Sequence, residues 1–209
     1  MEIKQIFIPR MANFAYLIGD PDTGTCAVID PAFDPQKILD AAQAGGYTVK
    51  YVINTHAHSD HTSGNAEILG ASGARLCIHK ADAQQLAGLL SRAVSRVMGG
   101  KGSPRADCLL ADHDVIQMGQ IELQVIHTPG HTPGSICIYT PGHVFTGDTL
   151  FVEAVGRTDL PGGSFQQILA SVHERLYTLP ADTRVWPGHD YGPSPSSTIG
   201  HEKQNNPLS

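Results

Sequence analysis

The stretch Thr55-His56-Ala57-His58-Ser59-Asp60-His61 decides how this sequence is interpreted. Three histidines and one aspartate fall within six residues, directly after the apolar run Tyr51-Val52-Ile53. Imidazoles and a carboxylate packed this densely present more lone pairs than nearby donors can satisfy, whereas a divalent cation accepts several lone pairs at once. The stretch therefore predicts a metal site at the end of a strand.

Three further segments have the same character, because each places a potential ligand next to glycine at the end of a predicted strand. They are Pro129-Gly130-His131, Gly147-Asp148 and Pro187-Gly188-His189. Glycine permits tight backbone geometry beside a ligand, and proline stiffens the loop that carries it. Each segment alone is more typical of a turn. Together with the histidine cluster they supply seven potential ligands on four loops, which we expect to converge on one edge of a sheet.

Apolar periodicity predicts strands that alternate with helices along the whole chain. The expected strands lie at 3–8, 13–18, 25–30, 49–54, 75–79, 115–118, 121–126, 135–139, 143–146 and 183–186. The expected helices lie at 35–44, where Asp34 suits the N-cap, and at 65–69, 81–90 and 165–176. The glycine-rich stretch 99–104 is expected to form a flexible loop near the mouth of the site. No linker divides the sequence, so residues 1–209 are interpreted as a single domain.

Composition and charge narrow the possible partners. Hydrophobic residues make up 41% of the 209 residues, and the net charge is -6 with no basic run, which disfavours nucleic acid as a partner. No stretch approaches the roughly 18 apolar residues of a membrane span. The four scattered cysteines fit buried thiols in a reduced setting, and the N-terminus lacks the pattern of a signal peptide. These features favour a cytoplasmic protein of undetermined oligomeric state.

The ligand segments together resemble the metallo-β-lactamase superfamily in their order and intervals, and the resemblance covers essentially the whole chain. It implies an α/β fold, a four-layer αββα sandwich with a binuclear site in the cleft between two β-sheets. It also implies two divalent metal ions, with zinc expected first and iron or manganese as alternatives. The implied ligands are His56, His58 and His131 for the first metal, Asp60, His61 and His189 for the second, and Asp148 as a bridge. His127 is the rival of His131, and the motif of the superfamily selects His131.

Within this superfamily the sequence resembles short relatives of glyoxalase II, which are thioesterases of hydroxyacyl-glutathione. The segments 155–163 and 198–207 share this similarity. The resemblance implies hydrolysis of an anionic acyl thioester, such as S-lactoylglutathione, by a metal-bound hydroxide that Asp60 orients as the catalytic residue. Two divalent metals would leave the cleft net positive on an acidic protein, which favours a small anionic substrate. Asp148 disfavours the zinc β-lactamases, which generally lack a bridging aspartate.

Two other functions stay open. Persulfide dioxygenases resemble the sequence at 156–159 and 189–191, and they use one iron held at the positions of His56, His131 and Asp148. A non-catalytic module that keeps metal only for folding is the alternative of another class, and the complete ligand set disfavours it. Full-length glyoxalase II has a C-terminal helical domain that contacts glutathione, whereas this sequence ends 20 residues after His189. Recognition of glutathione itself therefore stays open.

Arg157 and Tyr191 are the predicted substrate contacts. The competing interpretation of Arg157 is an ion pair with Asp159, which arginine forms readily. The competing interpretation of Tyr191 is an aromatic ring packed in a loop with its hydroxyl in water.

Overall fold

Two six-stranded β-sheets form the centre of the structure, a computed structural model that describes residues 1–208. The first sheet contains, in spatial order, β1 (Glu2–Ile8), β2 (Asn13–Asp20), β3 (Thr25–Ile29), β4 (Thr48–Asn54), β5 (Arg75–His79) and β6 (Cys108–Leu110). Its first three strands run antiparallel, as a meander, and the strands from β3 to β6 run parallel. The carboxyl ends of the parallel strands therefore meet at one edge of this sheet.

The second sheet is built from the other half of the chain. It contains, in spatial order, β14 (Ser197–Thr198), β13 (Arg184–Pro187), β10 (His143–Gly147), β9 (Ile136–Thr140), β8 (Ile121–His127) and β7 (Val115–Met118). Only β10 and β13 of these neighbours are parallel. A short hairpin of β11 (Leu150–Phe151) and β12 (Ala154–Val155) follows β10.

The inner faces of the two sheets share one core, because alternate side chains of each strand point to the same face. Tyr16 of β2 and Phe145 of β10 are fully buried there, with ring centroids 5.1 Å apart in an edge-on arrangement. The hydroxyl of Tyr16 donates a hydrogen bond to the carbonyl of Pro187 at 2.5 Å. This bond satisfies the buried phenol and ties β2 to β13, next to the loop that carries His189.

Helices cover both outer faces and complete the predicted αββα arrangement. Ile38 and Ile68 pack against the first sheet, and Val172 and Ile199 pack against the second. The helices of the first face are α1 (Pro35–Ala44), α2 (Ser59–Thr62), α3 (Asn65–Ser72), α4 (Ala83–Leu86) and α5 (Leu89–Val97). Those of the second face are α6 (Phe165–Ala170), continued by a π-helical segment (Ser171–Leu176), and α7 (Ile199–Asn205). The predicted fold class is confirmed.

The structure corrects several predicted elements. The helix expected at 81–90 is wrong, because Gly88 adopts an extended conformation that separates α4 from α5. The loop 99–104 packs on α3 instead of lying at the mouth of the site: Ser103 is buried and accepts a hydrogen bond from Asn65. α7 is not predicted, although Thr198 caps its first turn. The N-cap predicted at Asp34 is confirmed by its hydrogen bond from the Lys37 amide.

The predicted single domain extends to Ser209, which lies outside the described residues, and it stays a prediction. Across residues 1–208, each helix is too short or too polar to cross a lipid bilayer.

Candidate metal centre

All seven predicted ligands come together where the two sheets meet. The loop after β4 and helix α2 carry the histidine cluster, and the loops after β8, β10 and β13 carry the other three residues. The side chains in contact at this point are His56, His58, Asp60, His61, His131, Asp148 and His189. Long-range folding thus assembles one site from segments that span more than half of the chain.

Three groups of neighbouring ligand atoms occur within residues 1–208: one is Asp30, His56 and His61, and the other two consist only of predicted ligands. In each group the atoms lie within 4.8 Å of one another; of the latter two, the first is His56, His58 and His131, and the second is Asp60, His61 and His189. Asp148 lies between the groups, with Oδ2 3.5 Å from Nε2 of His131 and Oδ1 3.3 Å from Nε2 of His61. This division matches the two ligand sets that the superfamily resemblance implies.

Hydrogen bonds on the outer side of the imidazoles determine which nitrogen faces the centre. Nδ1 of His131 lies 2.7 Å from the carbonyl oxygen of Arg157, and Nδ1 of His189 lies 2.9 Å from that of Met11. Since a carbonyl oxygen only accepts, each Nδ1 carries the proton. The Nε2 atom of the neutral ring then directs its lone pair into the centre, as in histidines that bind metal.

Asp30 supports two further imidazoles and is not among the predicted site residues. Its carboxylate accepts hydrogen bonds from the Thr55 amide at 2.9 Å, the Thr55 hydroxyl at 2.6 Å and Nδ1 of His61 at 3.0 Å. The Thr55 hydroxyl, having donated to Asp30, accepts from Nδ1 of His56 at 3.1 Å. Both Nε2 atoms consequently present lone pairs to the centre. The available sequence signal is an acid at the carboxyl end of a strand that neighbours β4.

Among the buried atoms that lack a hydrogen-bond partner within residues 1–208, Nε2 of His56 and Oδ1 of Asp148 belong to predicted ligands. In addition, Nε2 of His131 lies 2.9 Å from Nδ1 of His58, so two imidazole nitrogens face each other. An unpaired buried polar atom costs about 1–3 kcal/mol. Divalent cations would accept these lone pairs, so the residues present fit a metal centre.

The electrostatics of the two groups differ. Burial lowers the pKa of His56 well below its ordinary value and that of His58 to about 4, so both rings are neutral ligands at pH 7. Burial also opposes the charged form of His189, but Asp148 and Asp60 together raise its pKa to about 9. A metal in the second group therefore competes with protons, which it displaces on binding.

Asp82 joins two of the ligand loops and is likewise not among the predicted residues. Its carboxylate accepts hydrogen bonds from the Ala57 amide at 3.0 Å, the Thr132 hydroxyl at 2.8 Å and the Gly134 amide at 2.7 Å. Burial raises the pKa of this carboxyl. Asp82 thereby fixes the backbone between His56 and His58 relative to the loop of His131.

The site opens into a cavity of about 1120 Å³ that Arg157 and Tyr191 both line. The Arg157 guanidinium forms a two-point ion pair with Asp159, with both N–O distances at 2.7 Å. Tyr191 stacks on His189, with centroids 4.5 Å apart, and its hydroxyl donates to the Met11 carbonyl. The ion pair expected as the competing interpretation of Arg157 is present. Contact of either residue with substrate stays a prediction.

His127 does not belong to the cluster. Its Nε2 lies 3.0 Å from the carbonyl oxygen of Pro133, and its ring stacks on His79 with centroids 4.1 Å apart. His131, by contrast, lies with His56 and His58, and its role as a ligand stays a prediction.

The glycine residues next to the ligands are required for steric reasons, and Gly188 is the clearest case. A Cβ atom at this position would lie 2.4 Å from Oδ1 of Asp148 and 3.0 Å from the Gly147 carbonyl. We expect Gly188→Ala to displace the Asp148 carboxylate and to lower metal content, with a loss of metal affinity of at least about tenfold. Elemental analysis after dialysis against a fixed free metal concentration measures this effect.

Gly70 of α3 is the matched control, because a Cβ atom there meets no heavy atom within 4 Å. Gly70→Ala is expected to retain the metal and to gain up to about 1 kcal/mol from helix propensity. Equal metal content in both variants would contradict the steric argument.

Comparison with known families identifies the chain. The family model of the metallo-beta-lactamase superfamily matches residues 8–189. The chain belongs to this superfamily. The predicted family is confirmed, and with it a metal-dependent enzyme fold.

Two curated relatives from the superfamily are named for different activities. The chain is 32% identical over 208 residues to the mitochondrial persulfide dioxygenase ETHE1 of Bos taurus, which covers 98% of this chain and 74% of that protein. It is 39% identical over 183 residues to the hydroxyacylglutathione hydrolase of a Polaromonas species, which covers 86% of this chain and 62% of that protein. The chain thus spans only part of either relative. The cytoplasmic setting stays a prediction.

Solved structures of superfamily members confirm the fold. The BLEG-1 B3 metallo-beta-lactamase matches with a TM-score of 0.89 at 31% identity, over 99% of each chain. TTHA1623 in a di-iron-bound form matches with a TM-score of 0.84 at 32% identity, over 99% of this chain and 100% of that one. The di-iron form supports metal cofactors here.

Proposed function

We propose that this protein is a metal-dependent thioesterase of the glyoxalase II type, with two divalent cations and zinc as the first candidate. The main support is that all three predicted ligands of each group are present and that Asp148 lies between the two groups. Imidazole and carboxylate ligands suit zinc and also iron or manganese. The proposed ligands are His56, His58, Asp60, His61, His131, Asp148 and His189.

Divalent cations held by these residues would lower the pKa of water toward about 7 and would polarise an acyl oxygen. Asp60 is the residue proposed to act beside them, because it lines the cavity with 14% of its side chain exposed. Its Oδ2 lies 3.4 Å from Nε2 of both His61 and His189, and Asn13 donates to the same oxygen at 3.4 Å. The carboxylate is thereby held where it can accept a hydrogen bond from the attacking water and orient it.

Similarity to a hydroxyacylglutathione hydrolase supports an acyl thioester as the substrate class. S-lactoylglutathione is the first substrate to assay, as a small anionic thioester. Contact of Arg157 with the glutathione part of the substrate would require the Arg157–Asp159 ion pair to open.

Persulfide dioxygenase activity is the second candidate, favoured by the relative that covers 98% of this chain. The three positions that such enzymes use are present and adjacent: His56, His131 and Asp148. That activity would not need Asp60, His61 and His189, whose complete set is the reason for ranking hydrolysis first.

Parallel assays of zinc-loaded and iron-loaded protein test the ranking. Cleavage of S-lactoylglutathione and oxygen uptake with glutathione persulfide are measured in both forms, with a β-lactam as a third substrate. We expect thioester cleavage in the zinc form. Oxygen uptake restricted to the iron form, with no thioester cleavage in either, would reverse the ranking. Bound metal without any of the three activities would favour the non-catalytic module.

A pair of variants sharpens this assay, because the two candidates require different ligands. Hydrolysis at a binuclear site requires both His131 and His189, so His131→Ala and His189→Ala should each abolish it. A single-iron dioxygenase would lose activity in His131→Ala and keep it in His189→Ala.

A further inference from the structure

An apolar wall borders the metal cavity on the side of α5. We define the α5 wall as Leu89, Leu90, Val94 and Met98, all of which line the cavity. Leu89 and Leu90 are 84% and 78% exposed. Two neighbouring leucines in water, beside a reactive centre, indicate a surface that a ligand covers.

The polar side of α5 is the side that packs on the protein. Oγ of Ser95, which is buried, lies 2.8 Å from Oγ of Ser63, and Ser59 donates to the carbonyl of Ser91 at 3.2 Å. Ser59 belongs to α2 and Ser63 follows it directly, so α5 is attached to the helix that carries two metal ligands. This orientation turns Leu89, Leu90 and Val94 toward the cavity, whereas an ordinary amphipathic surface helix buries its apolar side.

The far end of the wall is also anchored. The guanidinium of Arg10 donates to the Met98 carbonyl and lies over the ring of Phe33, 5.2 Å from its centroid. The Met98 amide donates to the Val94 carbonyl, which extends the helical turn. The wall is therefore supported at both ends rather than being a loose segment.

Wall and metal centre belong to the same cavity, since His58, Asp60 and His131 line it together with the leucines. Its volume of about 1120 Å³ slightly exceeds the range of about 300–1,000 Å³ for small-molecule sites. A lactoyl group would leave most of this space unfilled. An acyl chain that extends from the metal centre through this cavity would contact the α5 wall.

The charges in the cavity also favour an apolar group. Among the described residues that line it, the single lysine or arginine is Arg157, which Asp159 neutralises at two N–O distances of 2.7 Å. A carboxylate of the substrate would find no free cationic side chain beside the wall.

We propose that the α5 wall binds the acyl chain of the substrate, so that the preferred thioesters carry medium to long apolar acyl groups. The inference rests on the proposed thioesterase function and names its substrate class. The anionic part of the substrate, on the thiol side, then lies away from this wall.

The test combines an activity series with a binding series. Glutathione thioesters with acetyl, butyryl and octanoyl groups are compared by kcat/KM. S-methylglutathione and S-octylglutathione, which are thioethers and resist hydrolysis, are titrated calorimetrically against metal-free protein. We expect the octanoyl ester to exceed the acetyl ester, and the octyl ligand to bind more tightly than the methyl ligand, each by at least about tenfold.

Leu90→Asp and Val97→Asp form a matched pair of variants. Both residues are exposed on α5, but Val97 is 90% exposed and does not line the cavity. In Leu90→Asp, neither kcat/KM nor binding affinity should increase with the length of the apolar chain. In Val97→Asp, both increases should be retained. Because both side chains are exposed, neither change is expected to prevent folding.

The possible results separate the inference from the function on which it rests. Cleavage of S-lactoylglutathione without any dependence on chain length, in activity or in binding, overturns the inference and leaves the thioesterase intact. Octyl binding that depends on Leu90, with no thioester cleaved, overturns the thioesterase and supports the apolar site. Light scattering that shows a dimer dissociated by Leu90→Asp, without a chain-length effect, assigns the wall to a second copy and overturns the inference.

Discussion

Replacement of Asp148 by alanine is expected to remove at least one metal ion per chain and most of the turnover. The Asp148 carboxylate is buried, and its oxygens lie 3.3–3.5 Å from the Nε2 atoms of His61, His131 and His189. Without it, two cations would repel each other with less screening. The expected loss exceeds the 10–100-fold that is typical when a residue behind a ligand is removed.

Elemental analysis and kcat/KM with the best substrate measure this effect. Asp159→Ala is the control, since Asp159 is an exposed acid of the same cleft region whose only ion pair within residues 1–208 is with Arg157. It should keep the full metal content. Full metal and full turnover in Asp148→Ala would show that the bridging assignment is wrong.

Chelation of the metal is expected to lower the melting temperature by roughly 8–16 °C. A ligand present at about 1,000 times its Kd stabilises the native state by about 4 kcal/mol, and each kcal/mol corresponds to about 2–4 °C in a chain of this size. The physical origin is local: lone pairs such as that of His56 Nε2 lose the cation that satisfies them. Calorimetry with and without chelator, followed by readdition of zinc, measures the shift.

Asp148→Ala provides the internal comparison for this experiment. Its smaller metal content should reduce the shift on chelation. Protein that is purified with less than about half a metal per chain, and whose melting temperature does not respond to chelator, would exclude a metal role altogether.

The metal chemistry could be predicted from the sequence because it is local. Four of the predicted ligands lie within six consecutive residues, namely His56, His58, Asp60 and His61. Any fold therefore keeps them close together. Glycine beside His131 and His189 points to tight backbone approach, and Gly188 shows why, since a Cβ atom there would meet Asp148. The periodicity of apolar residues likewise predicted most strands, because alternation follows directly from strand geometry.

The supporting aspartates could not be predicted in this way. Asp30 bonds Thr55 across 25 positions of the chain, and Asp82 bonds Gly134 across 52. In sequence each is an ordinary acid, at the end of a strand or in a turn. Their roles depend on the backbone amides and side chains that lie next to them after folding. The local spacing of residues does not predict these long-range contacts.

Helix α5 shows the same division most clearly. Its composition indicates an apolar side and a polar side, and the usual expectation buries the apolar one. Tertiary contacts decided otherwise, because Ser95 meets Ser63 in the interior and Leu89 and Leu90 are left beside the cavity. The sequence by itself determined which groups could bind metal, since their chemistry and spacing are local. Only the tertiary structure decided which surface faces that metal, since this depends on contacts between elements far apart in the chain.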